Sequence, residues 1–310
     1  MAVLPESGTM TPTPAYRLYG ELPLARSAID RSAHRRGDEA WLKAAWRDDS
    51  TRVLLVAEGQ VPVEGARLVF VAPDEAPDGD RYLLGVDEDD AAYFAVRTLG
   101  AHPDARAAGL RQAGAVLDDR DAGLLVHAVA LANWHAAHGF CARCGEPTEV
   151  AEAGHVRRCP SDGSMHFPRT DPAVIMLVTD PDDRALLGRA PSWPADRYST
   201  LAGFVEPGET PEQAVVREVG EESGVVVESV TYAGSQPWPF PSSLMLAYFG
   251  SSPGGDPRPD EDEIADVRWF TRDDLAEAVR VGAIRVPPSI SVSRRLIEGW
   301  YGGPLPERTG

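Results

Sequence analysis

The residues best suited to chemistry lie at 203–225, in the stretch GFVEPGETPEQAVVREVGEESGV. Read as spacing it is G-x5-E-x7-R-E-V-x-E-E-x-G-V, with Gly203, Glu209, Arg217, Glu218, Glu221, Glu222 and Gly224 at its fixed positions. Thr210-Pro211-Glu212-Gln213 predicts a helix start: Thr210 as N-cap, Pro211 at the first helical position and Gln213 closing a capping box. On that helix Glu218 and Glu222 are four residues apart and Glu221 is three from Glu218, so three carboxylates lie on or near one face. Like charges at those spacings repel, and bound divalent cations with oxygen ligands are the simplest relief. A solvated acidic face is the bland alternative. It gives no reason for the glycine and arginine offsets, and the whole pattern has a chance frequency on the order of one in a million. Gly224 fits a C-terminal stop, and Gly203 with Gly208 suits a tight loop ahead of the helix.

A second constellation is Cys141-Ala-Arg-Cys144, the knuckle spacing that directs two thiolates at one ion, with Cys159 fifteen residues on. A ribbon of two CxxC knuckles needs a cysteine at 162, where this chain has Asp162. Asp162 could complete a structural zinc site through oxygen, or His166 or His155 through nitrogen; alternatively the ion is lost and packing holds the ribbon. His135 and His138 in WHAAHGF are read instead as groups on a last helical turn that suit the C-terminal dipole, with Gly139 as the stop. The third stretch is QPWPFPSS at 236–243, where three prolines alternate with Trp238 and Phe240. It has few backbone donors, so it is stiff and extended and unsuited to a central strand. It is either a wall for a flat heterocycle or a crossing loop whose aromatics cover the core.

The elements that must position these groups follow from patterning. VLLVAEGQ, RLVFVAP, RYLLGVDE and AAYFAVRTL predict a meander or small mixed sheet over residues 51–99, and Ala- and Leu-rich helices follow over 104–137. PAVIMLVTD predicts a buried strand and RALLGRAP another, and RYSTLAGFV leads into the glutamate helix. VVVESVTYAGSQPW and LMLAYFGS read as strands, and VRWFTRDDLAEAVR as a strand and a helix capped by Thr271. A final helix is expected from about Ser289. Strands on both sides of the glutamate helix, with another helix at the end, give an α/β sandwich.

The glutamate stretch resembles the Nudix box at every fixed position. The resemblance implies a hydrolase of nucleoside diphosphates linked to another moiety, using Mg2+ or Mn2+ held by the box glutamates. SQPWPFPSS at 235–243 closely resembles the sequence that distinguishes the NADH pyrophosphatase (NAD-capped RNA hydrolase) family. Members of that family place a small zinc ribbon before the Nudix domain and a further domain before that, and this chain repeats the order. The fold implied is an α/β class Nudix α/β/α sandwich over 170–310, preceded by a zinc-ribbon-like segment at 139–169 and an N-terminal α+β domain at 1–138. The activity implied is cleavage of NADH or NAD+ to nicotinamide mononucleotide and AMP, with release of NAD caps from RNA 5′ ends, by a homodimer.

Carried over residue by residue, the resemblance makes Glu218 and Glu222 metal ligands with Glu221 beside them, and adds the carbonyl of Ala202 and Glu263, six residues before Trp269. Either Glu221 or Glu222 would be the base. Gln236, Pro237, Trp238, Pro239, Phe240, Pro241, Ser242 and Ser243 would line the nucleotide site, with Phe204 near the base or ribose and Ser293 as a backbone contact. Phe167 stands where the family has an aromatic beside the ligand, a Tyr in its usual pattern. Cys141, Cys144, Cys159 and Asp162 would hold zinc. Arg217 is expected to pair with a box carboxylate such as Glu209. Competing readings are a Nudix hydrolase of ADP-ribose or dinucleoside polyphosphates, and a non-catalytic NAD sensor.

Composition bounds these readings. The chain has 310 residues, enough for two or three domains, and a formal net charge of -18, which argues against a general polyanion binder. Its apolar runs fall short of a membrane span and its first residues lack a secretory pattern. With three cysteines, two of them a CxxC pair, a reducing cytoplasm is the expected compartment.

Overall fold

The computed structural model describes residues 16–100 and 106–307. The opening segment read for a leader and the first residues of the expected 104–137 helical stretch lie outside that range. The described residues form two compact units, one of residues 16–21, 172–235 and 245–307, the other of residues 22–171 and 236–244.

In the second unit α1 (Glu39–Ala45) precedes β1 (Arg52–Ala57), β2 (Gln60–Glu64), β3 (Arg67–Leu68), β4 (Arg81–Val86), β5 (Ala92–Thr98) and β6 (Ala107–Gly109). They make one mixed sheet in the order β3-β2-β1-β5-β4, with β6 on β2 and β1 parallel to β5. Glu58 and Gly59 both have positive φ (50° and 73°), the twist a two-residue hairpin needs between β1 and β2. RLVFVAP gives only the two-residue β3, because Val71 pairs with Val53 as a single bridge and Pro73 has no N–H to extend the ladder. Alternate residues of β1, β4 and β5 (Val53, Leu83, Phe94, Val96) form a core. α2 (Leu110–Ala113) and the 19-residue α3 (Asp119–Ala137) follow. Asp118 caps α3 by accepting from Asp121 N at 2.9 Å. Asp121 itself is fully buried, its Oδ2 accepting from Leu68 N at 2.8 Å, so the helix start is tied to β3. The ribbon strands β7 (Glu149–Ala151), β8 (Val156–Arg158) and β9 (Met165–His166) form a small antiparallel sheet.

The first unit is built on β10 (Asp171–Thr179), β11 (Ala185–Arg189), β12 (Leu201–Phe204), α4 (Pro211–Ser223), β13 (Ser229–Trp238), β14 (Ser243–Ser251), β15 (Asp266–Phe270), α5 (Arg272–Arg280) and α6 (Val292–Tyr301). The sheet order is β13-β14-β10-β11-β15, and β12 pairs antiparallel with the first half of β10. β10 is buried from Ala173 onward, as its unbroken apolar run requires of an inner strand. Ala214, Val215 and Val219 of α4 pack with Val174, Met176 and Leu201 in one apolar cluster, beside which Glu218 and Glu222 are also buried. β13 lies at the sheet edge, which is why Pro237 is tolerated in it. α6 begins at Val292, three residues later than expected, because Ser291 N closes a turn onto Pro288 O at 2.9 Å and Ser291 becomes the N-cap.

Candidate active site and metal centre

The glutamate helix α4 is held at both ends. Thr210 and Gln213 form the reciprocal capping box, with Gln213 N to Thr210 Oγ1 at 3.3 Å and Thr210 N to Gln213 Oε1 at 2.9 Å. Gly224 ends it in the left-handed region (φ 68°). Gly203 has a different reason from the expected tight loop. It lies in β12, and a Cβ there would stand 1.9 Å from Glu218 Cδ. Only glycine lets the strand approach this carboxylate. Gly208 alone takes the turn role (φ 88°).

Arg217 organises the acidic groups around it. Its Nε and Nη2 make a fork on Glu209, both at 2.9 Å, its Nη1 reaches Glu218 Oε1 at 2.9 Å and Glu221 Oε2 at 3.0 Å, and Nη2 also donates to Phe204 O at 2.9 Å. Arg217 holds the Glu209 carboxyl below its ordinary range. Glu218 goes the other way: burial raises it, against the pull of Arg217. Glu222 is 5% exposed and its carboxyl is pushed up to about 8, first by burial and then by the charges of Glu218, Glu263, Asp260 and Glu221. Its Oε2 is buried with no hydrogen-bond partner. A buried carboxyl oxygen without a hydrogen-bond partner, under the field of Glu218, Glu263, Asp260 and Glu221, fits a ligand for a divalent cation with oxygen ligands.

The remaining predicted residues fall as follows. Glu263 raises both Glu218 and Glu222, so its charge bears on the same cluster. Asp260, which the spacing did not single out, accepts from Ile264 N at 2.8 Å and Glu263 N at 3.2 Å and fixes the turn that carries Glu263. The acidic run at 260–263 was its signal. Ala202 is an exposed β12 residue paired with Ile175, and Phe204 is 59% exposed. Ser293 is buried, its Oγ accepting from Ser199 Oγ at 2.9 Å and Thr200 N at 3.1 Å, so its side chain braces the chain entering β12.

Residues 236–243 are built into the second unit, as is Phe167, which is 64% exposed. Gln236 is fully buried and its Oε1 accepts from Leu24 N at 3.0 Å. Pro237 and Trp238 close β13; Trp238 and Phe240 then meet edge to face, with centroids 4.9 Å apart. Pro239 and Pro241 flank Phe240 in the turn. Ser242 Oγ donates to Asp171 Oδ2 at 2.7 Å, its carbonyl accepts from Asp171 N at 2.9 Å, and Ser243 opens β14.

In the ribbon, one ligand atom from each of Cys141, Cys144, Cys159 and Asp162 lies within 4.8 Å of the others. The two knuckles are alike in backbone. Gly145 N donates to Cys141 O at 2.9 Å and Gly163 N to Cys159 O at 3.0 Å, with φ 80° and 71° at the two glycines. Asp162 therefore occupies the place in its knuckle that Cys144 has in the other. The Cys141 thiol is drawn down, chiefly by a hydrogen bond with Ser164, while its neighbour Cys144, against a backbone hydrogen bond at Glu146, is raised by burial and by its contacts with Cys159 and Cys141, as expected of thiols crowded around one point. This donor set fits a structural zinc ion.

His155 and His135 are elsewhere. His155 Nε2 bonds Leu83 O at 2.8 Å. His135, 3% exposed, stacks on Tyr82 and bonds Gly154 O through Nε2 at 2.8 Å, while Arg157 Nη1 stands 2.9 Å from its Nδ1. Since the guanidinium only donates, Nδ1 accepts and Nε2 carries the proton, and His135 is neutral. Burial, opposed by the Gly154 bond, lowers it to about 4. The dipole reading therefore fails for His135. It holds for His138 in polar form, whose Nδ1 is 3.0 Å from Trp134 O at the end of α3. Gly139 has no positive φ and is not the stop; His138 is the C-cap.

Comparison with known proteins agrees with this layout. Residues 169–288 match the NUDIX domain, 136–167 the NADH pyrophosphatase zinc ribbon domain, and 30–134 the NADH pyrophosphatase-like rudimentary NUDIX domain. The chain is 41% identical over 300 residues to the NAD-capped RNA hydrolase NudC of Mycobacterium bovis (strain BCG / Pasteur 1173P2), covering 89% of this chain and 94% of that protein. It is 46% identical over 209 residues to the NAD-capped RNA hydrolase NudC of Deinococcus radiodurans, covering 66% of this chain and 72% of the relative. With the NAD-capped RNA hydrolase NUDT12 of Macaca fascicularis it shares 43% over 196 residues, 59% of this chain and 42% of that one.

Proposed function

Because this chain belongs to the NADH pyrophosphatase family of the Nudix hydrolases, we propose that it cleaves the pyrophosphate of NADH and NAD+ to nicotinamide mononucleotide and AMP, and removes NAD caps from RNA 5′ ends. The observation that carries the chemistry is Glu222, a buried carboxyl with one oxygen unpartnered among like charges. A pyrophosphate diester is doubly negative and repels hydroxide, so its hydrolysis needs charge neutralisation and a nucleophile at neutral pH. Mg2+ or Mn2+ supplies both when bound.

Glu218, Glu222 and Glu263, with Glu221 and the carbonyl of Ala202, are the proposed ligands. Glu221 or Glu222 takes the proton of the attacking water at a carboxylate oxygen. The charge of Glu221 is one of those that raise Glu222. Arg217 keeps Glu218 and Glu221 in place and locks the preceding loop through Glu209 and Phe204 O. The aromatic faces of Trp238 and Phe240 stack a flat base, with Pro237, Pro241, Ser242 and Ser243 shaping that surface, Phe167, Phe204 and Ser293 contributing further contacts, and the buried Gln236 and Pro239 supporting it from beneath rather than lining it. Cys141, Cys144, Cys159 and Asp162 hold zinc in a structural role. We place the domain boundaries at 138/139 and 169/170, and the working form is a cytoplasmic homodimer. No helix among the described residues is long and apolar enough to cross a membrane.

Chromatography of products after incubation with NADH, NAD+ and NAD-RNA in Mn2+ tests the reading. Release of AMP and the nicotinamide mononucleotide from NADH is expected. Binding of NADH with no AMP released would make the protein a sensor, and faster cleavage of ADP-ribose or dinucleoside polyphosphates would change the substrate class.

A further inference from the structure

The turn at 239–242 has no ladder of its own to hold it. Prolines at 237, 239 and 241 remove alternate N–H groups; Phe240 N reaches Trp238 O at 2.7 Å and Asp171 N reaches Ser242 O at 2.9 Å, which leaves the carbonyls of Pro239 and Pro241 to find a donor elsewhere. The donor comes from α3. Asn133 Nδ2 donates to Pro239 O at 3.0 Å and to Pro241 O at 3.3 Å, the two carbonyls on either side of Phe240. Two acceptors at one nitrogen also fix which way the amide points. Asn133 is half-buried, on a stretch of α3 whose neighbouring Leu131, Ala132 and Trp134 are buried. From α2, the Arg111 guanidinium lies 4.0 Å from the Phe240 ring centroid and 5.0 Å from that of Trp238. Both residues lie in the segment that matches the rudimentary NUDIX domain, whose contribution the sequence left open.

We propose that Asn133 and Arg111 are positioning residues for substrate recognition: the N-terminal segment, through these two side chains, sets the orientation of the Trp238–Phe240 pair against which the base is read. This rests on the functional reading above. Asn133 sets the path of the backbone through Phe240, and Arg111 seats the two rings. α3 and α2 thereby add to the hold that Asp171 has on this turn through Ser242. The N-terminal domain is thus part of the specificity apparatus as well as a structural appendage.

The test uses the full-length protein with Asn133→Ala, Arg111→Gln and Arg111→Lys. Steady-state kinetics on NADH in Mn2+ are combined with deuterium uptake by the peptide spanning 236–243. Both Asn133→Ala and Arg111→Gln should raise KM about fivefold to tenfold while kcat stays within about threefold, and uptake at the Phe240 and Ser242 amides should rise. Arg111→Lys keeps the cation and should recover part of the KM. Active variants with unchanged KM would overturn the proposal, as would a fall in kcat at constant KM, which is what a smaller folded fraction gives. Wild-type protein that does not cleave NADH would sink the functional reading instead. The uptake measurement then still judges the anchoring, which fails if the loop exchanges alike in all forms.

Discussion

The chemistry of the site is decided at Glu222 and at the glycine that makes room beside it. Glu222 is buried, crowded by like charge and short of one hydrogen-bond donor. Glu222→Gln keeps the shape and removes the charge, so turnover should fall on the order of a hundredfold or more, about 3 kcal/mol of transition-state stabilisation, with the fold intact. Near-wild-type turnover at saturating Mn2+ would show that this carboxylate is dispensable. Gly203→Ala makes a separate point. Its new Cβ would overlap Glu218, whose carbon sits 1.9 Å away, so either β12 or the carboxylate must move. We expect a stability loss of about 1–3 kcal/mol and weaker Mn2+ binding by titration calorimetry. Gly208→Ala, which meets no atom within 4 Å and suffers only from its positive φ, should leave Mn2+ affinity unchanged. Equal losses of affinity in the two variants would remove the steric argument.

At the scale of elements, much was legible because local rules and tertiary packing agree. The capping box at Thr210, the stop at Gly224 and the Thr271 cap all lie where the sequence puts them, since each is satisfied by neighbours three or four residues away. What was not legible depends on partners far along the chain. The close approach of Gly203 to Glu218, the clasp of Asn133 on residues 239 and 241, and the bond of His135 to Gly154 have separations of 15, 106 and 19 residues or similar, and no periodicity encodes them. His135 and His155 join α3 and the ribbon to β4 as neutral rings, both lowered to about 4, chiefly by burial. A folded-state value below the unfolded 6.5 means that the unfolded chain binds these protons first as pH falls. Stability is therefore complete above about pH 6.5 and is lost on the way down to about pH 4, by up to about 1.4 kcal/mol per pH unit for each ring. Denaturant midpoints across that window should fall more steeply in wild-type protein than in His155→Gln, in which the amide can still donate to Leu83 O. Parallel profiles would mean that carboxylates alone set the acid response.

On the scale of the whole chain, 48 acidic residues against 30 lysines and arginines leave a formal charge of -18, an unpromising balance for a protein that acts on RNA ends. Several of the basic side chains are, moreover, engaged in internal ion pairs. Arg184 pairs with Asp180, Arg272 with Asp183, Arg285 with Asp196, Arg294 with Glu298, and Arg217 with three box carboxylates. Each phosphate neutralised by a protein cation would add a counterion-release term to the affinity, about -0.7 in the log-log salt slope for a single strand. With so few cations to spare, recognition has to rest on the cap and the first nucleotides. Distant phosphates are repelled, and added salt weakens that repulsion as much as it weakens any attraction. For an NAD-capped RNA of several tens of nucleotides, kcat/KM measured between 50 and 300 mM KCl at fixed Mn2+ should therefore change with a slope no steeper than about -2, close to that for NADH itself. Lengthening the RNA should not steepen it. A slope that grows with RNA length would require an extended basic track along the protein, which a formal charge of -18 argues against.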